Sequence, residues 1–150
     1  MLSSEERDKQ AFMKKCARWI ETRFECEVYF IHNDEKINGM AEYRNGGHII
    51  YILGDIEKIG VDLFLDILAH EAGHVLYNKR AMAQGISYEK IVRRTASKLK
   101  CFDQLLEEKL ITNEECDRLY AAIEEEWESN REKESIIAEL REFLQQQKYD

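Results

Sequence analysis

Residues 61–79, VDLFLDILAHEAGHVLYNK, are apolar around most of a helical circumference, the pattern of a helix enclosed on nearly every side. Three groups break that pattern: His70, Glu71 and His74, spaced as H-E-x-x-H. Burying two imidazoles and a carboxylate among leucines is costly unless each is paired. One Zn²⁺ pairs both histidines at once, because side chains four apart lie on one helical face and their rings converge. Glu71, projecting beside them, is placed to take a proton from metal-activated water and return it to a leaving amine. The stretch therefore predicts a central helix with a zinc hydrolase site, His70 and His74 as metal ligands and Glu71 as general base. Gly73, the motif's residue without a side chain, permits close backbone approach at some expense of helix propensity.

The flanks supply the rest of an α+β domain. Upstream, Ser3 and Glu6 fit an S-x-x-E capping box, and Phe12, Cys16, Trp19 and Ile20 follow at helical spacing, predicting a helix from about Ser4 to Thr22. Residues 25–32, 39–44 and 48–53 are rich in β-branched and aromatic side chains, and Asn45-Gly46-Gly47 marks a hairpin. They predict a small, mainly antiparallel three-stranded sheet packed on the central helix. Downstream, Ser87 caps a helix reaching about Lys109, and Thr112 with Glu115 forms a second capping box. Residues 113–150 then read as an acidic C-terminal helical extension, its apolar stripe running through Ile123, Trp127, Ile136, Ile137, Leu140, Phe143 and Leu144 and broken near Ser129-Asn130.

All 150 residues fit one domain: proline is absent, and no linker or repeat interrupts the chain. No apolar run reaches the roughly 18 residues of a membrane span. Residues 1–8 show neither the basic nor the apolar region of a secretory signal, and Cys16, Cys26, Cys101 and Cys116 form no C-x-x-C pair, so the expected compartment is the reducing cytoplasm. The net charge of −8 disfavours nucleic acid as the main ligand, although it is unevenly spread. Residues 79–102 hold seven Lys and Arg against one acid, while 103–150 hold six against fifteen. The basic island is expected to face solvent and pair with the acidic C-terminal third, or to dock an acidic partner.

A catalytic zinc normally takes a third protein ligand. The extended pattern H-E-x-x-H-x-x-G-x-x-H fails, since Tyr77 and Arg80 stand where its glycine and third histidine belong, and no histidine follows His74. Glu89, the first acid after the motif and at the start of the next helix, is the leading third metal ligand; Asp103, Glu107, His48, His32 and Cys101 remain open. Tyr77, Tyr88 and His48 are candidates to donate a hydrogen bond to a developing oxyanion.

Leu68-Ala69-His70-Glu71-Ala72-Gly73-His74-Val75-Leu76 closely resembles the zinc helix L-A-H-E-L-G-H-x-L of the ImmA/IrrE-like metallopeptidases, a gluzincin-type family, and the likeness extends over roughly residues 48–100. Residues 91–99 line up with a later family segment, E-A-N-R-F-A-x-x-L, at Arg94, Ala96 and Leu99, with Ile91 at the glutamate position and Glu89 two residues earlier. The resemblance implies a zincin-like fold and a cytoplasmic zinc endopeptidase, often carried by phages or mobile elements, that cleaves a regulatory protein such as a helix-turn-helix repressor. It also implies that extended substrate pairs with a sheet edge above the metal, the sheet containing residues 48–53 supplying that edge. Ile91 at the ligand position motivates the alternative of a catalytically weak zincin-like binding module. A third alternative is a latent protease with the Cys101 or Cys26 thiolate on the metal.

Overall fold

Ser3 closes the start of helix α1 (Ser4–Phe24) by accepting from the Glu6 backbone N–H at 3.1 Å, and Glu25, in left-handed conformation, ends it. Met13, Cys16, Ala17, Ile20 and Phe24 recur at three and four residues and form its buried face. This computed structural model describes residues 3–147. Residues 1, 2 and 148–150 of the expected 1–150 domain lie outside the described residues.

Three strands follow: β1 (Cys26–Ile31), β2 (Asn38–Arg44) and β3 (Gly47–Leu53), close to the expected segments. Asn45 and Gly46 both have positive φ, 52° and 81°, the two-residue turn whose twist suits a hairpin. The sheet order is β1-β3-β2, with β2 antiparallel to β3 but β1 parallel to it. The sheet is thus mixed, which corrects the expectation of a mainly antiparallel one. β3 takes the centre because its Ile50 and Ile52 are fully buried, while β1 and β2 bury less and occupy the edges. The β1 to β2 connection must then cross the end of β3. It does so at Gly54 (φ 122°), where a Cβ would stand 2.6 Å from Ile37 Cα.

Helix α2 (Val61–Ala83) contains the H-E-x-x-H stretch and packs against the helix-facing side of the sheet. Helix α3 (Tyr88–Glu107) starts at Ser87, whose hydroxyl accepts from the Lys90 N–H, and α4 (Asn113–Ala121) starts at the reciprocal Thr112–Glu115 capping box. Helix α5 (Glu124–Gln147) runs without interruption through Ser129-Asn130, and the break falls at Ala122-Ile123 instead. Ser129 is satisfied inside the helix, its hydroxyl donating to Glu125 O at 2.7 Å, and Asn130 turns its side chain to His70. Far from hanging free, α5 lies along α2 and contributes Ile136 and Leu140 to the common core. Of the basic island, Arg80 reaches Glu132 in the acidic C-terminal third at 3.2 Å, as expected, while Arg93 instead takes Glu89 of its own helix at 3.3 Å. Among the described residues no helix is long and apolar enough to cross a membrane.

The four thiols are free, Cys16 and Cys26 buried, Cys116 partly covered and Cys101 exposed. Burial pushes the Cys16 and Cys26 thiols up to about 11. A thiol reagent at pH 8 is expected to modify Cys101 and Cys116 in the native protein and the other two only on unfolding. Uniform reaction of all four without denaturant would contradict this packing.

Candidate metal centre

His70 and His74 stand one turn apart on α2, their rings edge to face and their Nε2 atoms 3.2 Å apart. With Glu71 they offer three ligand atoms within 4.8 Å of one another, a group that could hold a metal ion. A fourth residue closes on them from the first turn of α5. Glu126 Oε2 lies 3.1 Å from His70 Nε2, and its Oε1 lies 3.1 Å from His74 Nε2. Asn130, one turn further along α5, accepts from the His70 Nδ1–H at 2.9 Å, which orients the ring so that Nε2 faces the cluster and Glu126. The Tyr120 hydroxyl, from the last turn of α4, donates to Glu126 Oε1 at 3.2 Å.

The two carboxylates are driven in opposite directions. Burial pushes Glu71 above the ordinary carboxylate range, and the charges of His74 and His70 offset only part of it. At Glu126 burial acts upward too, but hydrogen bonds from His70 and His74 outweigh it and hold the carboxyl well below that range. Burial pulls His74 down, yet its bond to Glu126 and the charges of Glu71 and Glu126 leave it raised. One carboxylate is thereby kept anionic beside the imidazoles and the other made a better proton carrier, the separation that acid–base chemistry uses.

Two glycines make the arrangement possible. A Cβ on Gly73 would sit 2.8 Å from both Cα and O of Ser129, so its absence lets α5 approach α2 at the level of the cluster. A Cβ on Gly39 of β2 would meet Glu71 Cγ at 2.7 Å, so the sheet leaves room for the carboxylate beneath it.

The cluster opens into a cleft of about 560 Å³ between β2, α2 and α3, with Tyr120 at its margin. β2 is an edge strand, and among the described residues nothing pairs with its outer side. The two-residue turn makes Arg44 and Gly47 a hydrogen-bonded pair, so by alternation Gly39, Ala41 and Tyr43 turn their N–H and C=O groups outward. Gly39 N–H is met by Asn38 Oδ1 at 2.8 Å, and the Tyr43 ring packs edge-on against Tyr88. Ala41 is left as the accessible pairing point beside the cluster. β3, which includes residues 48–53, is central, so in this sheet the edge beside the cluster is β2.

His70, Glu71 and His74 thus come together, whereas Glu89 does not join them. Its side chain is 81% exposed and ion-paired with Arg93, on the α3 face turned away from the cleft. An acid in a first helical turn complements the helix dipole there. The acid that lies against both imidazoles is Glu126. Of the other candidates, Asp103, Glu107, Cys101 and His32 are exposed and His48 lines a separate pocket at the far end of the sheet. Tyr88 lines the cleft, but Tyr77 belongs to another pocket. Sequence reasoning missed Glu126, Asn130 and Tyr120. No family model matches the chain, and neither a curated protein nor a solved structure matches it.

Proposed function

We propose that the protein is a zinc-dependent endopeptidase of zincin-like architecture, with His70, His74 and Glu126 as ligands and Glu71 as general base. The observation that carries this reading is the triangle of two imidazole nitrogens, 3.2 Å apart, and a carboxylate that sets one oxygen 3.1 Å from each, beside a buried glutamate in an open cleft. Two atoms each about 2.0–2.1 Å from a tetrahedral zinc lie about 3.3 Å apart, so the donor set fits that ion in type and in size. When bound, zinc supplies a lowered pKa for its water and polarises a scissile carbonyl.

The chain's own groups do the remainder. Glu71 Oε1, 4.0 Å from His74 Nε2, accepts the proton of the attacking water and passes it to the departing amine nitrogen. Asn130 holds His70 in the tautomer whose Nε2 faces the site, and the Tyr120 hydroxyl is near enough to donate to the carbonyl oxygen as it gains charge. An extended segment pairs with Ala41 on the edge of β2, which keeps the scissile bond over the cluster. The likeness of residues 68–76 to the zinc helix of ImmA/IrrE-like peptidases directs the substrate search to a cytoplasmic regulatory protein, a helix-turn-helix repressor first. A carboxylate from α5 beside both imidazoles supports this reading over a catalytically weak module, for which Ile91 argues.

The test is hydrolysis of a repressor encoded beside this gene, or of unfolded casein, by zinc-loaded protein and by Glu71→Gln. Cleavage by the first and not the second is expected; equal cleavage, or none by either, defeats the proposal.

Gly73→Ala gives a further expected result. Alanine gains about 1 kcal/mol of helix propensity, but overpacking against the Ser129 backbone costs about 1–3 kcal/mol and moves Glu126 outward. The variant is expected to unfold at lower denaturant and to bind zinc more weakly, both measurable by titration. A gain in stability with unchanged zinc affinity would show that α2 and α5 are not in close contact there.

A further inference from the structure

Helix α3 spends an apolar stripe on open space. Tyr88, Ile91, Val92, Ala96 and Leu99 recur at three and four residues and face the cleft, yet only Ile91 is buried. Across from them β2 presents Gly39 and Ala41, which carry no large side chain, and Val92 is 45% exposed, so the protein itself does not fill the space between. Among the described residues the cleft lining contains Asp66, Glu71, Glu125 and Glu126 but no lysine or arginine. Asp66 already has Lys133 at 2.9 Å, and Glu125 already accepts from Thr95 at 2.6 Å, so the lining offers an incoming carboxylate no free cationic side chain.

From this geometry we infer a substrate preference, which rests on the peptidase reading: the cleft selects an extended segment with a large apolar side chain lying between β2 and α3, Val92 being a specificity-determining contact, and it rejects acidic side chains at that position. Pairing with Ala41 sends alternate side chains of the segment down from the sheet edge into the space between Ala41 and Val92. A leucine, methionine or phenylalanine there covers the exposed apolar stripe of α3 and gains its burial. Aspartate or glutamate would surrender its hydration to apolar walls and meet acids of its own sign.

The probe is an array of decapeptides in a Gly/Ala/Ser background, one central position varied through all residue types, incubated with zinc-loaded full-length Glu71→Gln. Binding is expected to be at least about tenfold stronger for Leu, Met and Phe than for Asp and Glu. Val92→Leu should keep that order, while Val92→Glu should abolish the apolar preference and raise binding of Lys and Arg peptides. Because Val92 is half exposed, neither change threatens the fold, which circular dichroism would verify. A flat profile, an acidic preference, absence of binding, or an unchanged profile in Val92→Glu overturns the inference. The array reads binding alone, so loss of the peptidase reading would appear in the hydrolysis assay instead.

Discussion

Glu71→Gln is expected to lower hydrolysis by about 10²–10⁴-fold while the protein keeps a full equivalent of zinc. Glutamine preserves the shape and one hydrogen-bonding oxygen but cannot carry the proton from water to amine. Glu71 sits beside the triangle and is outside it: its nearest approach to an imidazole nitrogen is 4.0 Å, against 3.1 Å for Glu126. Burial keeps it ready to hold a proton, whereas Glu126 is held ionised by the two histidines. Kinetics and metal content measured on one preparation separate the roles. Parallel loss of both would make Glu71 a ligand, and loss of neither would remove it from the chemistry.

Glu126→Ala is expected to weaken zinc binding by more than about a hundredfold, since even partners one shell out from a metal typically contribute 10–100-fold. Glu89→Ala is expected to leave affinity unchanged, because Glu89 faces solvent and Arg93. His70→Ala with His74→Ala should abolish stoichiometric binding. Competition with a chromogenic chelator ranks the variants. An affinity that falls for Glu89→Ala and holds for Glu126→Ala would reverse the ligand assignment.

Much of the scaffold could be read before the structure. Ser3, Ser87 and Thr112 announce helix starts through local hydrogen bonds, and the Asn45-Gly46 turn fixes the β2–β3 register, because these signals depend on neighbours in sequence. The parallel pairing of β1 with β3 depends on which strand is buried most, a property of the assembled layers. The expected stripe of α5 holds at Ile123, Ile136, Ile137, Leu140, Phe143 and Leu144 and fails at Trp127, which is 54% exposed, the buried face passing through Glu126 and Ser129 instead. Glu126 is hidden in the run Glu124-Glu125-Glu126, where Glu124 faces solvent and Glu125 is only partly covered. A signal was present all the same: Glu126, Ser129 and Asn130 place polar groups on an otherwise apolar face, just as His70, Glu71 and His74 do on α2. Gly73 belongs to the same message, since a missing side chain on an apolar helix marks where another backbone comes close.

The most direct test of the central claim is a crystal structure of the zinc-soaked protein with anomalous data at the zinc edge. The account predicts one strong peak about 2.0–2.1 Å from Nε2 of both His70 and His74 and about 2.0–2.2 Å from a Glu126 carboxylate oxygen, with Glu71 beyond bonding distance. A peak held without Glu126, or one seated on Glu89, Cys101 or His48, would contradict it.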